Sequence, residues 1–435
     1  MSTRAVADGP GGERRTFRVL TEERIRAYPA VTFAVLVLFA AYDRLAGHGL
    51  LNAFDGALGG DFLSFYTGGH FVLHGRAHDL SSESAQLAFQ RGVLGADVPS
   101  TSVWVSPPFF AWFFAPLSLL PYPVAYVVFV ATSVAVLTVA FGALTRALGL
   151  SQSTARTWWI VLQYYPTLQW LLNGQITGLW LSVLIGVYLS LRAGRDARAG
   201  LLLGLFACKP TLALGLAVAL LVAGRFRVLL CASVTAGLLV ALGFATLPSA
   251  MIAYLYHGPA LVSFVREAGY HLAGLHGSFE FATLLLDGFS RRLASLAGLL
   301  FCAALVATAG SFWARAEWNP GSRAWDLRVA ATLAIGVIAS PHLYGYDLAL
   351  LALPFWIVVA RTGGTSGLPL DGGPVLAATA CVWTLGLLGP AVAVAEEQLT
   401  RRILGVAVIV QFGVLAILVW ALRVNRLRLD LGRTC

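Results

Sequence analysis

Apolar runs of about 17–25 residues recur along this chain from residue 30 to residue 422, and runs of that length cross a hydrocarbon core about 30 Å thick. Lipid offers a backbone no hydrogen-bond partner, so membrane-spanning segments fold as helices or as closed barrels. The alternating pattern of about ten residues that barrel strands require is missing here. The expected class is all-α, a polytopic membrane protein. Composition agrees, since only 12% of residues are charged against about 25% in soluble domains.

The first run covers 30–47, and a polar stretch of some 55 residues follows it. Further runs lie near 105–120, 122–146, 156–172, 174–191, 199–222, 228–248, 293–313, 326–341, 344–361, 373–393 and 403–422. Basic residues gather at the two ends. Arg4, Arg14, Arg15, Arg18, Arg24 and Arg26 precede the first run, and Arg423, Arg426, Arg428 and Arg433 follow the last. An Arg excess marks cytoplasmic flanks, so both termini are expected inside, and the net charge of +9 does not argue for nucleic acid. A single lysine among 30 basic residues fits a GC-rich bacterial genome, and the expected location is a bacterial plasma (inner) membrane. Residues 1–29 read as a basic cytoplasmic segment, 30–422 as one transmembrane domain with outer loops 48–104 and 249–292, and 423–435 as a basic tail. The start of the chain reads as an uncleaved anchor rather than a signal peptide.

Counted one by one, the runs give twelve crossings, but that threading puts Arg192, Arg195 and Arg198 outside. A second threading avoids this. Proline breaks helices, so Lys209-Pro210 would split 199–222 into two half-helices, and the Ser-Pro-Pro start of 105–120 would make that run re-entrant. Asn173-Gly-Gln175 and Lys209 then fall on the same side as the first polar loop. The second threading is preferred, and the bundle is expected to hold about 11–13 transmembrane or re-entrant helices. Helical patterns near 61–75 and 81–95 should lie along the interface.

The polar residues with chemical potential are few. Asp61 heads the first loop, where a carboxylate near the membrane surface can accept a proton from an attacking hydroxyl; it would equally serve as N-cap to the helix that follows. Lys209 sits in an apolar run, where an ammonium costs about 2.5–3.5 kcal/mol, and a lipid phosphate is an obvious partner, as snorkelling to the interface is a plain alternative. Residues 340–347 compress Ser340, His342, Tyr344, Tyr346 and Asp347 into a turn, a density of donors and acceptors suited to sugar hydroxyls. Asn173-Gly174-Gln175 supplies amides at a tight turn. The loop 248–292 carries His257, Arg266, Glu267, His271, His276 and Glu280. No His, Cys or Asp group has metal-ligand spacing, and Cys208, Cys231, Cys302, Cys381 and Cys435 read as isolated thiols. No cofactor is expected.

In order and spacing, several stretches resemble glycosyltransferase family 87, the DUF2029 group, which includes mannosyltransferases of the GT-C superfamily that depend on polyprenol-phosphate-mannose. They are the Asp61 loop with Tyr66, Gly75 and His78-Asp79; Ser106-Pro-Pro-Phe109 with Ala115-Pro-Leu-Ser-Leu-Leu-Pro121; Asn173-Gly-Gln-Ile-Thr177; Ala199-Gly-Leu-Leu-Leu-Gly204 before Lys209-Pro210; and Ser340-Pro-His342. Departures are Ser106 where an aromatic is usual, Thr177 where Asn is common, and a single His342 followed by Tyr344 and Tyr346. The resemblance implies a GT-C-type bundle. It also implies inverting transfer of a hexose, mannose above all, from a polyprenyl-monophosphate sugar to a glycolipid or glycan acceptor on the outer (periplasmic) face. The implied base is Asp61. Tyr66, Gln175, Lys209, His342, Tyr346 and Asp347 are the expected substrate-binding residues, and donor, acceptor and bilayer the expected partners. A transporter or flippase of lipid-linked sugars is the alternative, because broken helices and an intramembrane lysine suit that class too.

Overall fold

A computed structural model of the chain describes residues 22–96, 98, 102–151, 153–256, 277–286, 290–341 and 343–362. Among these residues there are α-helices and 3₁₀ turns but no strand. After α1 (Glu22–Leu45) come α2 (Phe62–Leu73), α3 (Glu83–Leu94) and the four-residue α4 (Ala111–Phe114). The bundle continues with α5 (Tyr122–Ala147), α6 (Thr154–Leu162), α7 (Tyr165–Leu172), α8 (Thr177–Arg192), α9 (Asp196–Gly204), α10 (Leu214–Val222) and α11 (Phe226–Thr246). It closes with α12 (Ser278–Leu285), α13 (Arg291–Ser311), α14 (Arg323–Ile338) and α15 (Ala352–Thr362). The runs 373–393 and 403–422, both basic termini except residues 22–26, and the Glu-Glu-Gln of 396–398 lie outside the described residues.

Among the described residues, four helices are long and apolar enough to cross a membrane: Ala27–Leu45, Tyr122–Ala147, Phe226–Thr246 and Arg292–Ser311. Several other apolar runs are interrupted, each for a local reason. The run 105–120 breaks into a 3₁₀ turn at Pro108–Phe110, α4, and a second turn at Leu117–Leu119, because Pro107, Pro108 and Pro116 remove donors that a longer helix would need. The run 156–172, read as one segment, is two helices. Tyr164 is extended between them and Pro166 opens α7, leaving Tyr164 Oη free to donate to the Leu348 carbonyl at 3.0 Å. At Lys209-Pro210 the expected break is present: Lys209 has φ −147° and ψ 67° between the 3₁₀ turns Leu205–Cys208 and Pro210–Leu212. The run 344–361 starts as a 3₁₀ stretch, Gly345–Leu351, before α15.

Lipid tails are as apolar as leucine, so helices in a bilayer associate through close van der Waals fit at small residues. Gly200 and Gly204 supply this fit one turn apart on α9. A methyl at Gly200 would lie 2.3 Å from the Val228 carbonyl oxygen, and one at Gly204 2.4 Å from that of Ala232, both on α11. On α10, a methyl at Gly215 would lie 2.6 Å from the Cα of Gly336 on α14. These contacts hold the two halves of the broken 199–222 segment against separate helices, which is why the break at Lys209 keeps its shape.

Two polar clusters mark opposite ends of the bundle. Arg192 closes α8 and bonds to Asp326 at the start of α14, which Arg361 at the end of α15 also reaches at 2.6 Å. Arg225 pairs with Asp196 and stacks over Trp318 at 5.0 Å. The other end of α8 begins at Thr177, beside Asp347, Lys209 and the Asp61 turn. The 16 residues of α8 span about 24 Å at 1.5 Å per residue. Arg192 therefore shares an end with Arg225 and the 314–328 segment, as in the second threading.

Candidate functional site

The site is assembled from the N-terminus of α2 outward. The first donors of a helix lack partners within it, and Asp61 occupies the capping position, yet its carboxylate makes no cap bond. The main chain does that work. Phe62 N donates to the carbonyls of Gly59 at 2.7 Å and Asn173 at 3.2 Å, Leu63 N to Gly60, and Ser64 N to Asp61. The capping role that sequence alone allows for Asp61 is thus not the one its side chain plays. It accepts instead from Gln175 Nε2 at 2.7 Å.

Gln175 is aimed there by its turn. Gly174 has φ +57°, and a methyl on it would fall 2.5 Å from Phe62 Cβ. Only glycine combines the left-handed conformation with so close an approach. Gln175 Oε1 accepts from Ile176 N at 3.3 Å, which leaves the amide NH₂ facing Asp61. Tyr126 Oη donates to the Leu171 carbonyl at 3.0 Å, and Tyr122 Oη donates to that of Leu58, so α5 ties both loops to one place.

The Ser102 and Tyr346 hydroxyls also lie near Asp61 and favour its charged form. Ser102 is kept in position by α3, whose buried amides reach the adjoining strand of chain: Gln90 Nε2 donates to the Ser102 carbonyl at 2.9 Å, and Gln86 Oε1 accepts from Trp104 N at 2.6 Å. Asp61 retains some surface exposure, but its carboxyl is held above the ordinary carboxylate range. Burial is the main cause and the nearby Asp347 charge adds to it, against the lowering effect of Gln175, Ser102 and Tyr346. Among the described residues, no cation touches it. A carboxylate poised in this way accepts a proton more readily than a free one.

Lys209 forms the second part. Its Nζ lies 2.7 Å from Asp347 Oδ2, with the lysine side chain 32% exposed and the aspartate 1%. Asp347 also accepts from Thr177 Oγ1 at 3.3 Å and from Tyr344 N at 3.3 Å, capping its own 3₁₀ stretch. Ser340 Oγ bonds to Thr211 Oγ1 at 2.9 Å, two residues from Lys209. The break in the helix and the 340–347 turn therefore fit together side by side.

Of the residues singled out from sequence, Asp61, Gln175, Lys209, Tyr346 and Asp347 converge on this end of the bundle. Tyr66 packs beside them, against Tyr122 with ring centroids 5.2 Å apart, while its hydroxyl donates to the Leu120 carbonyl at 2.9 Å. His342 lies outside the described residues, as do His257, Arg266, Glu267, His271 and His276 and the side chain of Glu280. Ser102 and Thr177 were not singled out for the site. Nothing in the sequence marks Ser102, but Gln86 and Gln90 carry a signal: two amides four residues apart on the apolar stripe of α3.

The family model for glycosyltransferase family 87 matches residues 104–341, more than half of the chain. Comparison with curated proteins and with solved structures gives no match. The matched stretch contains Gln175, Thr177 and Lys209, and the hydrogen bonds described above join to it Asp61, Ser102, Tyr346 and Asp347 from either side. Apolar helices bearing this polar end, and a match of this extent, place the chain in glycosyltransferase family 87, as a membrane glycosyltransferase.

Proposed function

We propose that this enzyme transfers a hexose, mannose in the first instance, from a polyprenyl-monophosphate sugar to a glycolipid or glycan acceptor on the outer face of a bacterial plasma membrane, with inversion at the anomeric carbon. The observation that carries the reading is Asp61: a carboxylate held by the Gln175 amide, with the Ser102 and Tyr346 hydroxyls near it and, among the described residues, no cation on it. The outer-face assignment rests on the positive-inside tendency, since Arg192, Arg225 and the 314–328 segment gather at the end opposite Asp61.

In this mechanism Asp61 takes the proton from the acceptor hydroxyl as its oxygen attacks the anomeric carbon from the face opposite the phosphate. The new glycosidic C–O bond forms while the bond from that carbon to the phosphate oxygen breaks, and the electron pair leaves with the phosphate. Lys209 is a compact cation that offsets the charge developing there. Gln175 holds Asp61, Gln175 and Tyr346 offer donors and an aromatic face to the sugar, and His342, expected from sequence, is the proposed assistant to Lys209. A carrier with its isoprenoid tail in lipid enters from the side, between helices of the 30–422 domain.

The direct test uses the purified enzyme with a radiolabelled polyprenyl-phosphate sugar and an envelope glycolipid extract as acceptor. Transfer should be lost in Asp61→Asn with expression unchanged. Retained turnover in that variant removes Asp61 from the chemistry, and movement of the lipid sugar across a vesicle membrane without a new glycosidic bond returns the reading to a flippase.

A further inference from the structure

Lys209 is not a free cation waiting for an anion. It is already held by Asp347 at 2.7 Å, and Asp347 has little other freedom: it is 1% exposed and accepts from Thr177 and the Tyr344 main chain. Gln175 and Thr177, two residues apart, donate to Asp61 and to Asp347 respectively. The two carboxylates are thus held at one turn, Asp61 through Gln175 and the Lys209–Asp347 pair through Thr177. Among the described residues, the titratable and charged groups facing Asp61 are Tyr122 from α5, Tyr346 and Asp347 from the 3₁₀ stretch, and Lys209 behind Asp347.

We propose that the Lys209–Asp347 ion pair is a phosphate-operated switch on Asp61, with Asp347 a positioning residue that reports the arrival of a phosphate monoester to the base. An ammonium shared with a phosphate neutralises Asp347 less completely. The second carboxylate then repels a negative Asp61 more strongly, and like charges in one site favour the protonated form. Phosphate binding thus adds to the proton affinity that burial already gives Asp61. The exposed part of Lys209 supplies the opening for the anion, and the enclosed Asp347 cannot follow the lysine outward. The idea rests on Asp61 being the base, but its physical content, coupling between two carboxylates through one lysine, is measurable without turnover.

The test is an infrared titration of the full-length protein in detergent, following the carboxylic-acid band that disappears in Asp61→Asn. Adding farnesyl phosphate should move the titration of wild type to higher pH. Lys209→Met should move the apparent titration of the carboxylate pair upward with no ligand present, and Asp347→Asn should move that of Asp61 downward and shrink the response to farnesyl phosphate. Opposite shifts show that both charges reach Asp61; the smaller response of Asp347→Asn to farnesyl phosphate is what separates a switch from a static ion pair. Equal responses to farnesyl phosphate in wild type and Asp347→Asn, or shifts of the same sign in the two variants, overturn the proposal. If Lys209→Met fails to fold, the ligand response of wild type against Asp347→Asn decides alone. Inorganic phosphate run in parallel assigns the source: an equal effect at equal concentration means that the pair reads free phosphate, a weaker one that it reads a lipid-borne monoester, and either supports the switch. Because the band is read without transfer, an active Asp61→Asn would sink the base assignment while leaving the coupling standing, and a silent titration would do the reverse.

Discussion

Asp61 and Asp326 lie at opposite ends of α8 and are treated in opposite ways. Asp326 is fully buried, and its oxygens are saturated by Arg192, by Arg361 Nε at 2.6 Å, and by Tyr188 Oη at 2.8 Å. Those partners come from α8 and α15, while Asp326 itself is on α14, so one carboxylate fastens three helices. Asp61 accepts from an amide with two hydroxyls near it and, among the described residues, meets no guanidinium. A buried charge met by two cations is committed to structure. A buried charge met only by neutral donors keeps its appetite for a proton. The partners, more than exposure, separate a fastening from a reactive group: Asp326 is fully enclosed and doubly paired, while Asp61 keeps some surface and has neutral partners.

The comparison breaks most visibly at Asp326. Asp326→Ala leaves two guanidiniums facing each other in the bundle, and losing one partner of such a pair costs about 3–5 kcal/mol. Little folded protein is expected, as judged by size-exclusion of the detergent-solubilised enzyme; a monodisperse variant with an unchanged melting point would show the cluster to be idle. Asp61→Asn should behave in the reverse manner, folding normally with transfer reduced by about 10²–10⁴-fold, the usual contribution of general base catalysis.

A third variant addresses what aims Gln175. Gly174→Ala puts a side chain into a left-handed conformation, which costs about 1–2 kcal/mol, and into contact with Phe62. Transfer should fall while the melting point drops only slightly, because the Asp326 cluster is untouched. A variant with full activity would mean that the turn does not position the amide.

The smallest effect is a pH dependence. Because Asp61 binds its proton more tightly folded than unfolded, the native state is favoured by that proton, and stability declines as pH rises from the ordinary carboxylate range through the raised value. Asparagine cannot ionise, so Asp61→Asn should melt above wild type at neutral pH, with the gap closing on acidification. Turnover runs the other way: it should fall as pH drops through the raised value, at a higher pH than an ordinary carboxylate would give. A melting point that stays lower in Asp61→Asn at every pH would contradict the assigned direction.

Sequence alone was sufficient for the class, for the interruption at Lys209-Pro210 and for five of the residues that meet at the site. These are consequences of the solvent: lipid demands internally bonded helices, proline cannot donate, and an ion in an apolar run must have a reason to be there. It was misleading where apolarity hid a break, as in 156–172, whose Tyr164 leaves the helix to reach Leu348. What only the tertiary structure decided is which polar groups face which. Asp61 and Gln175 are 114 positions apart and Lys209 and Asp347 are 138 apart, and hydropathy carries no record of such pairings. They arise because main-chain carbonyls cap α2 and free one carboxylate, while a glycine turn and a broken helix bring the amide and the lysine to the same end of the bundle.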